Sequence, residues 1–303
     1  MHDEKIRILD LKFQGKPMAI ASYLLRHRDG ILLIESGPGS TVPQLKEMLK
    51  ARGYRFADVT HVLLTHIHLD HAGAAGELAS HGAQVFVHPV GAPHLIDPSK
   101  LIASATRIYA DRMDTLWGKF LAVPQAQLNV LEDGADFEIG GLTFTPFFTP
   151  GHAEHHIAYL HDGICFSGDI GGIRIPGYQY LRIPMPPPEL NLTKWKASIK
   201  LLRQQKISAF APTHFGIYTD VAWQLDSLER TITRVEQWMD GHLGGAQNIE
   251  ELKQQFQQWM NEQAAEQGLT ADAIEAFALS NPVGMSVDGM LRYWNKVLHP
   301  ASI

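Results

Sequence analysis

Cysteine, secretion signals and long apolar runs are scarce or absent in this 303-residue chain. Its single cysteine, Cys165, excludes an internal disulfide framework and a metal site built from cysteines alone, and it is typical of reducing compartments. The start, Met1-His2-Asp3-Glu4-Lys5, lacks the basic segment and apolar run of a secretory signal. No stretch approaches the roughly 18 apolar residues of a membrane span. We therefore expect a cytoplasmic protein with no membrane partner.

Basic charge is also scarce where nucleic-acid binding would need it. The net charge is −6, and the part from Tyr218 onward holds 12 acidic and 5 basic residues. The preceding 217 residues are balanced, with 20 acidic and 21 basic ones. Neither part has the basic stripe that nucleic-acid binding usually requires. We expect a small-molecule substrate and no nucleic-acid partner.

Apolar, β-branched segments alternate with helical patterns in the first two thirds of the chain, which predicts an α/β domain. We predict that this domain covers 1–217, with a helical insertion at about 91–123, and that a helical C-terminal extension over 218–303 packs on its core. Tryptophans in the extension have helix-packing spacings, which indicates core or dimer contacts and leaves a homodimer open. The predicted strands are 6–13, 19–26, 30–35, 59–64, 84–87, 127–131, 136–139, 142–148, 156–160, 163–167 and 207–211. The predicted helices are 42–52, 72–80 and 191–205, with one or two more in the insertion. Asn191 can cap the helix 191–205, whose apolar face is Leu192, Trp195, Ile199 and Leu202.

Four potential metal ligands lie within six residues in the run Thr65-His66-Ile67-His68-Leu69-Asp70-His71. The run follows an apolar strand directly, and loops at the carboxyl ends of strands are common places for active sites in α/β folds. In an extended segment, His66 and His68 point the same way and can bind one ion. A turn at Asp70 would let it and His71 face a second ion. Imidazole and carboxylate together suit zinc, and also iron or manganese.

Three later segments each place one further potential ligand at the end of an apolar strand. They are Thr149-Pro150-Gly151-His152, Ser167-Gly168-Asp169 and Ala211-Pro212-Thr213-His214. Singly, each is weak, because a structural histidine or aspartate is common at such a place. Together with the first run they complete two metal sites.

The order of these four segments resembles the metallo-β-lactamase-fold hydrolases over about residues 6–217. The resemblance implies an αββα sandwich with the metals at one edge of two sheets. The set of potential ligands in these segments is similar to that of the glyoxalase II type. It differs from that of the true zinc β-lactamases, in which a cysteine replaces the bridging aspartate. The implied ligands are His66, His68 and His152 for one metal, Asp70, His71 and His214 for the other, and Asp169 as the bridge.

A pair of divalent ions, zinc in the first place and iron or manganese otherwise, would explain how such a chain hydrolyses a substrate. Two cations lower the pKa of the water between them, and the bridging hydroxide attacks a carbonyl carbon. One metal stabilises the developing anion, and Asp70 is the catalytic residue that orients the nucleophile and moves a proton. The chain has no Gly-x-Ser-x-Gly nucleophile elbow. We therefore expect hydrolysis of a small ester, thioester or lactone.

The segment 171–188 holds five prolines and four candidate substrate-binding residues, and it is either a substrate wall or a rigid connector. Quorum-sensing lactonases carry a tyrosine three residues after the bridging aspartate, where this chain has Gly172, which counts against a simple lactonase. Glyoxalase II binds glutathione partly through basic residues in its helical tail, whereas the tail here is acidic. The candidate substrate-binding residues are Arg174, Tyr178, Tyr180 and Arg182.

Two other reactions fit the same ligand pattern. One is cleavage of a small phosphodiester. The other is the oxygen chemistry of a mono-iron enzyme similar to the persulfide dioxygenases. Flavodiiron proteins have Glu where this chain has His68, which argues against them. Metal analysis separates these alternatives, because two zinc ions favour hydrolysis and one iron favours oxygen chemistry.

Overall fold

A computed structural model describes residues 6–245 and 248–300, and within them the chain forms two β-sheets and eleven α-helices. The strands are β1 Ile6–Asp10, β2 Ala21–His27, β3 Gly30–Ile34, β4 Val59–Leu63, β5 Gln84–Val87, β6 Leu128–Val130, β7 Phe137–Ile139, β8 Leu142–Phe148, β9 Ile157–His161, β10 Ile164–Phe166 and β11 Ala209–Ala211. The helices are α1 Val42–Lys50, α2 Leu69–Ala72, α3 Ala75–Ser80, α4 Ala92–Ile96, α5 Ser99–Tyr109, α6 Met113–Leu116, α7 Leu192–Arg203, α8 Val221–His242, α9 Ile249–Glu266, α10 Ala271–Ser280 and α11 Val283–Tyr293.

The two sheets bring the ends of four strands to one edge of the molecule. The first sheet has the order β1-β2-β3-β4-β5-β6, antiparallel up to β3 and parallel beyond it. The second has the order β11-β10-β9-β8-β7, and its one parallel pair is β10 with β11. In parallel pairs such as β3–β4 and β10–β11, the carboxyl ends lie side by side. The segments that follow these strands therefore start close together.

In strands such as β2 and β3, side chains are buried on both faces of the sheets, which is why these strands are largely apolar. In β2, Tyr23 and Leu25 join the cluster between the two sheets, whereas Leu24 joins the cluster under α1 and α3. Phe210 of β11 packs outward against α7 and α8. Helices thus cover the outer face of each sheet, and the predicted αββα sandwich is confirmed.

Helix α7 follows the sequence pattern closely. Asn191 caps its first turn, and the Asn191 side chain accepts a hydrogen bond from the Lys194 amide at 3.0 Å. The predicted apolar face, with Trp195 and Ile199 at its centre, is buried against the second sheet. This helix could be predicted from the sequence because its apolar residues are regularly spaced and a polar residue caps its start.

Three predicted elements have different limits in the structure. The first strand stops at Asp10 and does not reach Phe13, because the Asp10 carboxylate accepts hydrogen bonds from the Lys12 and Met18 amides and closes a turn. The helix expected from Ala72 already begins at Leu69. The insertion forms three short helices, α4 to α6, where one or two were predicted. The extra break falls at Ala110, whose φ is +48°.

The C-terminal extension consists of α8 to α11 in the described part of the chain, and these helices pack on the second sheet through α7 and α8. Trp238 is buried and contacts Phe256 edge-on, so it belongs to the extension's own core. The domain limits at 217/218 stay a prediction. No helix within 6–245 or 248–300 combines the length and apolarity that crossing a bilayer requires.

Candidate metal centre

The run from Thr65 to His71 changes direction just after β4, and this separates its ligands into two groups. Thr65 still behaves as a strand residue, since its carbonyl accepts a hydrogen bond from the Ile157 amide at 2.7 Å. His68 has extended backbone angles and begins α2, where the His71 amide donates to the His68 carbonyl at 3.0 Å. The one-turn helix carries Asp70 and His71 away from His66 and His68. The expected turn at Asp70 is therefore this helix.

His66, His68 and His152 form the first group of donor atoms. His68 Nδ1 lies 3.0 Å from His66 Nε2 and 2.9 Å from His152 Nε2. Zinc–nitrogen bonds of about 2.0–2.1 Å in a tetrahedron place ligand nitrogens roughly 3.3 Å apart, so small adjustments would fit one ion. The three predicted ligands of one metal are thus brought together.

The second group consists of Asp70, His71 and His214, with Asp169 between the two groups. Asp70 Oδ2 lies 3.5 Å from His71 Nε2 and 3.4 Å from His214 Nε2. Asp169 Oδ1 lies 3.3 Å from His71 Nε2 and 3.4 Å from His214 Nε2. Its other oxygen, Oδ2, lies 3.2 Å from His152 Nε2 in the first group. Asp169 therefore presents one oxygen to each group.

Several donor atoms of this centre are buried without a hydrogen-bond partner in the described residues. They are His71 Nε2, His214 Nε2 and Asp169 Oδ1. Native proteins rarely leave buried polar atoms unsatisfied, because each one costs free energy. These three atoms converge on one point, so a cation there would satisfy all of them at once. The residues present fit a metal centre.

In His66, His152 and His214, the ring nitrogen that faces away from the centre, Nδ1, contacts an oxygen of the protein. His152 Nδ1 lies 2.9 Å from the Pro184 carbonyl, and His214 Nδ1 lies 2.6 Å from the Ala19 carbonyl. A carbonyl can only accept, so each Nδ1 carries the proton and each Nε2 lone pair faces the centre. His66 Nδ1 lies 3.0 Å from the Thr65 hydroxyl. The protein thus fixes ring orientation and tautomer before any ligand arrives.

The electrostatics of the two groups differ. Burial, helped by neighbouring imidazoles, lowers the pKa of His66 well below its ordinary value and that of His68 to about 3. Burial also disfavours the charged form of His71, but the carboxylates of Asp70 and Asp169 outweigh it and raise its pKa well above the ordinary value. The first group is therefore neutral at pH 7, whereas in the second group His71 holds a proton beside the ionised carboxylates of Asp70 and Asp169.

Glu35 is a buried member of the centre that the sequence reasoning missed. It follows β3 with φ of +68° and is fully buried beneath His71, whose Nδ1 lies 3.0 Å from Glu35 Oε1. The hydroxyls of Thr65 and Thr213 also donate to Glu35 Oε1. A carboxylate directly after the apolar run Ile31–Ile34 was the available signal, because an acid there must find buried partners.

The loops that carry His152 and Asp169 are fixed by α7. The Trp195 indole donates to the Ile170 carbonyl at 2.9 Å, and the Asn191 amide donates to the Gly151 carbonyl at 2.7 Å. Gly168 has φ of +48°, and a Cβ there would collide with the Thr65 hydroxyl. One helix therefore sets the positions of both ligand loops.

His155 and His156 precede β9, and both are buried beside the centre. The His155 ring lies 5.6 Å from that of His68, and its Nε2 lies 3.4 Å from Glu189 Oε2. His156 Nδ1 lies 2.8 Å from the Thr149 hydroxyl. These contacts support the ligand loops.

All four candidate substrate residues contact other side chains of the protein. Arg174 is buried and binds both Asp220 oxygens, at 2.7 and 2.9 Å. The Tyr178 hydroxyl lies 3.1 Å from that of Thr270 in an exposed position. Tyr180 and Arg182 are buried and contact each other, with the Arg182 Nε donating to the Tyr180 hydroxyl at 3.2 Å. Substrate binding by any of them stays a prediction.

The insertion meets the C-terminal extension near Asp70. The Tyr109 hydroxyl of α5 donates to Met285 Sδ of α11 at 2.9 Å, and its ring packs edge-on against Trp117. Burial and the Asp70 charge raise the pKa of Tyr109. Tyr109 is thus a second residue near the centre that the sequence did not reveal, because the insertion has no readable motif.

With this geometry in place, comparison with known proteins identifies the family. Residues 15–214 match the model of the metallo-beta-lactamase superfamily, and the chain belongs to that superfamily. The class predicted from the sequence, a metal-dependent hydrolase of this superfamily, is confirmed at that level.

Curated relatives match part of the chain. The chain is 27% identical over 197 residues to the metallo-beta-lactamase fold-containing protein ST1585 of Sulfurisphaera tokodaii, covering 63% of this chain and 74% of that protein. It is 24% identical to an atrochrysone carboxyl ACP thioesterase of Aspergillus fumigatus, covering 66% of this chain and 38% of the thioesterase. It is 29% identical to a hydroxyacylglutathione hydrolase of Aeromonas hydrophila, covering 48% of this chain and 44% of the hydrolase.

Solved structures share the fold over nearly the whole chain. The metallo-beta-lactamase family protein TTHA1429 from Thermus thermophilus superposes with a TM-score of 0.69 at 22% identity, covering 96% of this chain and 93% of that one. The archaeal protein ST1585 superposes with a TM-score of 0.66 at 19% identity, covering 94% and 98%. This likeness extends the shared fold into the C-terminal helices.

Proposed function

We propose that the chain is a binuclear metal-dependent hydrolase, with zinc as the first choice of metal, that cleaves a small ester, thioester or lactone. The observation that carries the proposal is the placement of Asp169, whose two carboxylate oxygens face two separate groups of donors. Each group supplies three side chains besides Asp169, which leaves coordination positions for water and substrate. Iron or manganese would accept the same donors.

The residues around the centre have separable tasks in this proposal. Two bound divalent ions would supply hydroxide near neutral pH and polarise the substrate carbonyl. Asp70 is the more exposed carboxylate, with 21% of its side chain accessible against 4% for Asp169. Asp70 can therefore meet water, orient it and hold the proton that water gives up. The net reaction consumes one water and yields a carboxylic acid with an alcohol or a thiol.

A thioester is favoured among the three substrate types. Two relatives are named as an acyl-carrier thioesterase and a hydroxyacylglutathione hydrolase, although the matches span less than half of either protein. The ligand set supports a glyoxalase II-like subgroup, whereas the acidic C-terminal extension does not support glutathione itself. We therefore propose a thioester substrate without proposing that its thiol part is glutathione.

The test combines metal content with a substrate screen on the purified full chain. We expect two zinc ions per chain by elemental analysis, and turnover of at least one thioester, ester or lactone. Asp169→Asn should lower the metal content, whereas Asp226→Asn on the surface of α8 should leave it unchanged. One iron per chain with oxygen consumption on persulfides, or turnover of phosphodiesters alone, would overturn the proposal in favour of the corresponding alternative.

A further inference from the structure

The guanidinium group of Arg182 is buried, and no carboxylate among the described residues forms an ion pair with it. The residue is 3% exposed, and its terminal nitrogens Nη1 and Nη2 have no hydrogen-bond partner within residues 6–245 and 248–300. The Nε group has a neutral partner, the Tyr180 hydroxyl. The Phe277 ring of α10 lies 5.2 Å from the guanidinium carbon. Burial of a charge with such partners carries a desolvation cost that aromatic contacts offset only in part.

Arg174 shows how the same fold treats a structural arginine. It is as deeply buried as Arg182, but its two terminal nitrogens bind the Asp220 carboxylate, and Nη1 also reaches Gln224 Oε1 at 2.7 Å. The Tyr218 ring lies 3.7 Å from its guanidinium carbon. Of these two arginines in the 171–188 segment, Arg174 therefore lies beside a carboxylate, and Arg182 has none beside it in the described part of the chain.

Arg182 also lies on the side of the metal centre where His214 is held. The backbone of Arg182 pairs with that of Ile173. The amide of Arg174, the residue that follows Ile173, donates to the His214 carbonyl at 2.6 Å. From the other side, α10 ends at Ser280, whose hydroxyl donates to the Ala19 carbonyl at 3.1 Å. That same carbonyl accepts the His214 Nδ1 proton. Hydrogen bonds on two sides thus connect the Arg182 backbone and α10 to His214, one of the predicted metal ligands.

We propose that Arg182 binds a carboxylate on the substrate, at a distance from the bond that is cleaved. The two terminal nitrogens of one guanidinium match the two oxygens and the single charge of a carboxylate. In this proposal α10 shifts to admit the carboxylate, and only two side chains of this helix, those of Ala273 and Phe277, are buried. This inference rests on the proposed function and names the charge class of its substrate.

Matched ester pairs test the inference. The pairs are para-nitrophenyl esters that differ in a terminal methyl or a terminal carboxylate, such as valerate against hemiglutarate, with shorter and longer homologues. In the wild-type chain we expect kcat/KM for the best carboxylate ester to exceed that of its neutral partner by about tenfold to a hundredfold. Arg182→Met should abolish this ratio, and Arg182→Lys should reduce it. Arg292→Met, which removes an exposed arginine of α11, should preserve it.

A binding experiment separates failure of this inference from failure of the proposed function. Free glutarate should raise the melting temperature of the wild-type protein and not that of Arg182→Met. If no ester, thioester or lactone is cleaved but this difference appears, the proposed function fails and the carboxylate site stands. A wild-type ratio near one for every chain length, with no glutarate effect, overturns the inference even if Arg182→Met does not fold.

Discussion

Glu35 Oε1 lies 3.0 Å from His71 Nδ1, so a buried carboxylate supports one of the predicted metal ligands from behind. A carboxylate in this place orients the imidazole and makes its other nitrogen a better ligand. We predict that Glu35→Gln weakens metal binding about tenfold to a hundredfold while the fold persists. Glu77→Gln removes the charge of a half-buried glutamate paired with Lys46, and it should leave metal binding unchanged. Competition titration with a chelating dye measures the metal affinity of both variants. If Glu35→Gln binds metal as tightly as the wild type, Glu35 acts only in packing.

Asp70 has a role in turnover that is separable from folding. Its side chain is partly exposed at the centre and lies between His71 and His214. We expect Asp70→Asn to lower kcat by about a hundredfold or more, since general acid–base groups contribute roughly that much. The melting temperature should change far less. Asp272→Asn at the start of α10 controls for the loss of one surface charge. A fully active Asp70→Asn protein would contradict the two-metal assignment.

The two ligand groups should lose metal at different pH values. In the metal-free chain burial opposes protonation of His71 and His214, but nearby carboxylates outweigh it and raise their pKa, so protons compete with metal there from a higher pH. Burial lowers the pKa of His66, His68 and His152, so protons compete there only at a lower pH.

As pH falls, the Asp70-His71-His214 group should therefore empty first. Elemental analysis after dialysis at a series of pH values should show a plateau near one metal per chain between two and none. Loss of both ions in a single step, in a protein that is still folded by circular dichroism, would contradict the electrostatic distinction between the groups.

The sequence could predict which side chains the structure brings together, because each of these residues follows an apolar strand, and parallel strands bring their ends together. The His66 to His71 run and the later segments ending at His152, Asp169 and His214 all have this form. Glu35 ends a strand in the same way, but a lone acid has no spacing that marks it as a partner. Tyr109 was not predicted, because its partner Met285 lies on α11, far along the chain. Arg182 was predicted as a candidate, but the lack of a carboxylate beside it in the described residues could not be, because its surroundings come partly from α10. Such contacts depend on tertiary packing, which local periodicity does not encode.

Arg174 tests the distinction between a structural and a substrate-binding arginine. Its bonds to Asp220 and Gln224 tie the 171–188 segment to α8, and the Trp223 ring lies 4.4 Å from its guanidinium carbon. Removing one partner of a buried ion pair typically costs about 3–5 kcal/mol. Because Asp220 is about one third exposed, water can partly replace the lost partner, and we expect a loss nearer 2 kcal/mol for Arg174→Met.

Urea unfolding of Arg174→Met against wild type gives this free energy. Arg203→Met, which breaks a surface pair with Asp226, should cost less than about 1 kcal/mol. If Arg174 is structural, the folded variant should keep its preference between carboxylate and neutral esters, since Arg182 would still carry that preference. A variant with unchanged stability that loses the ester preference would instead make Arg174 the substrate-binding residue that its place in the sequence suggested.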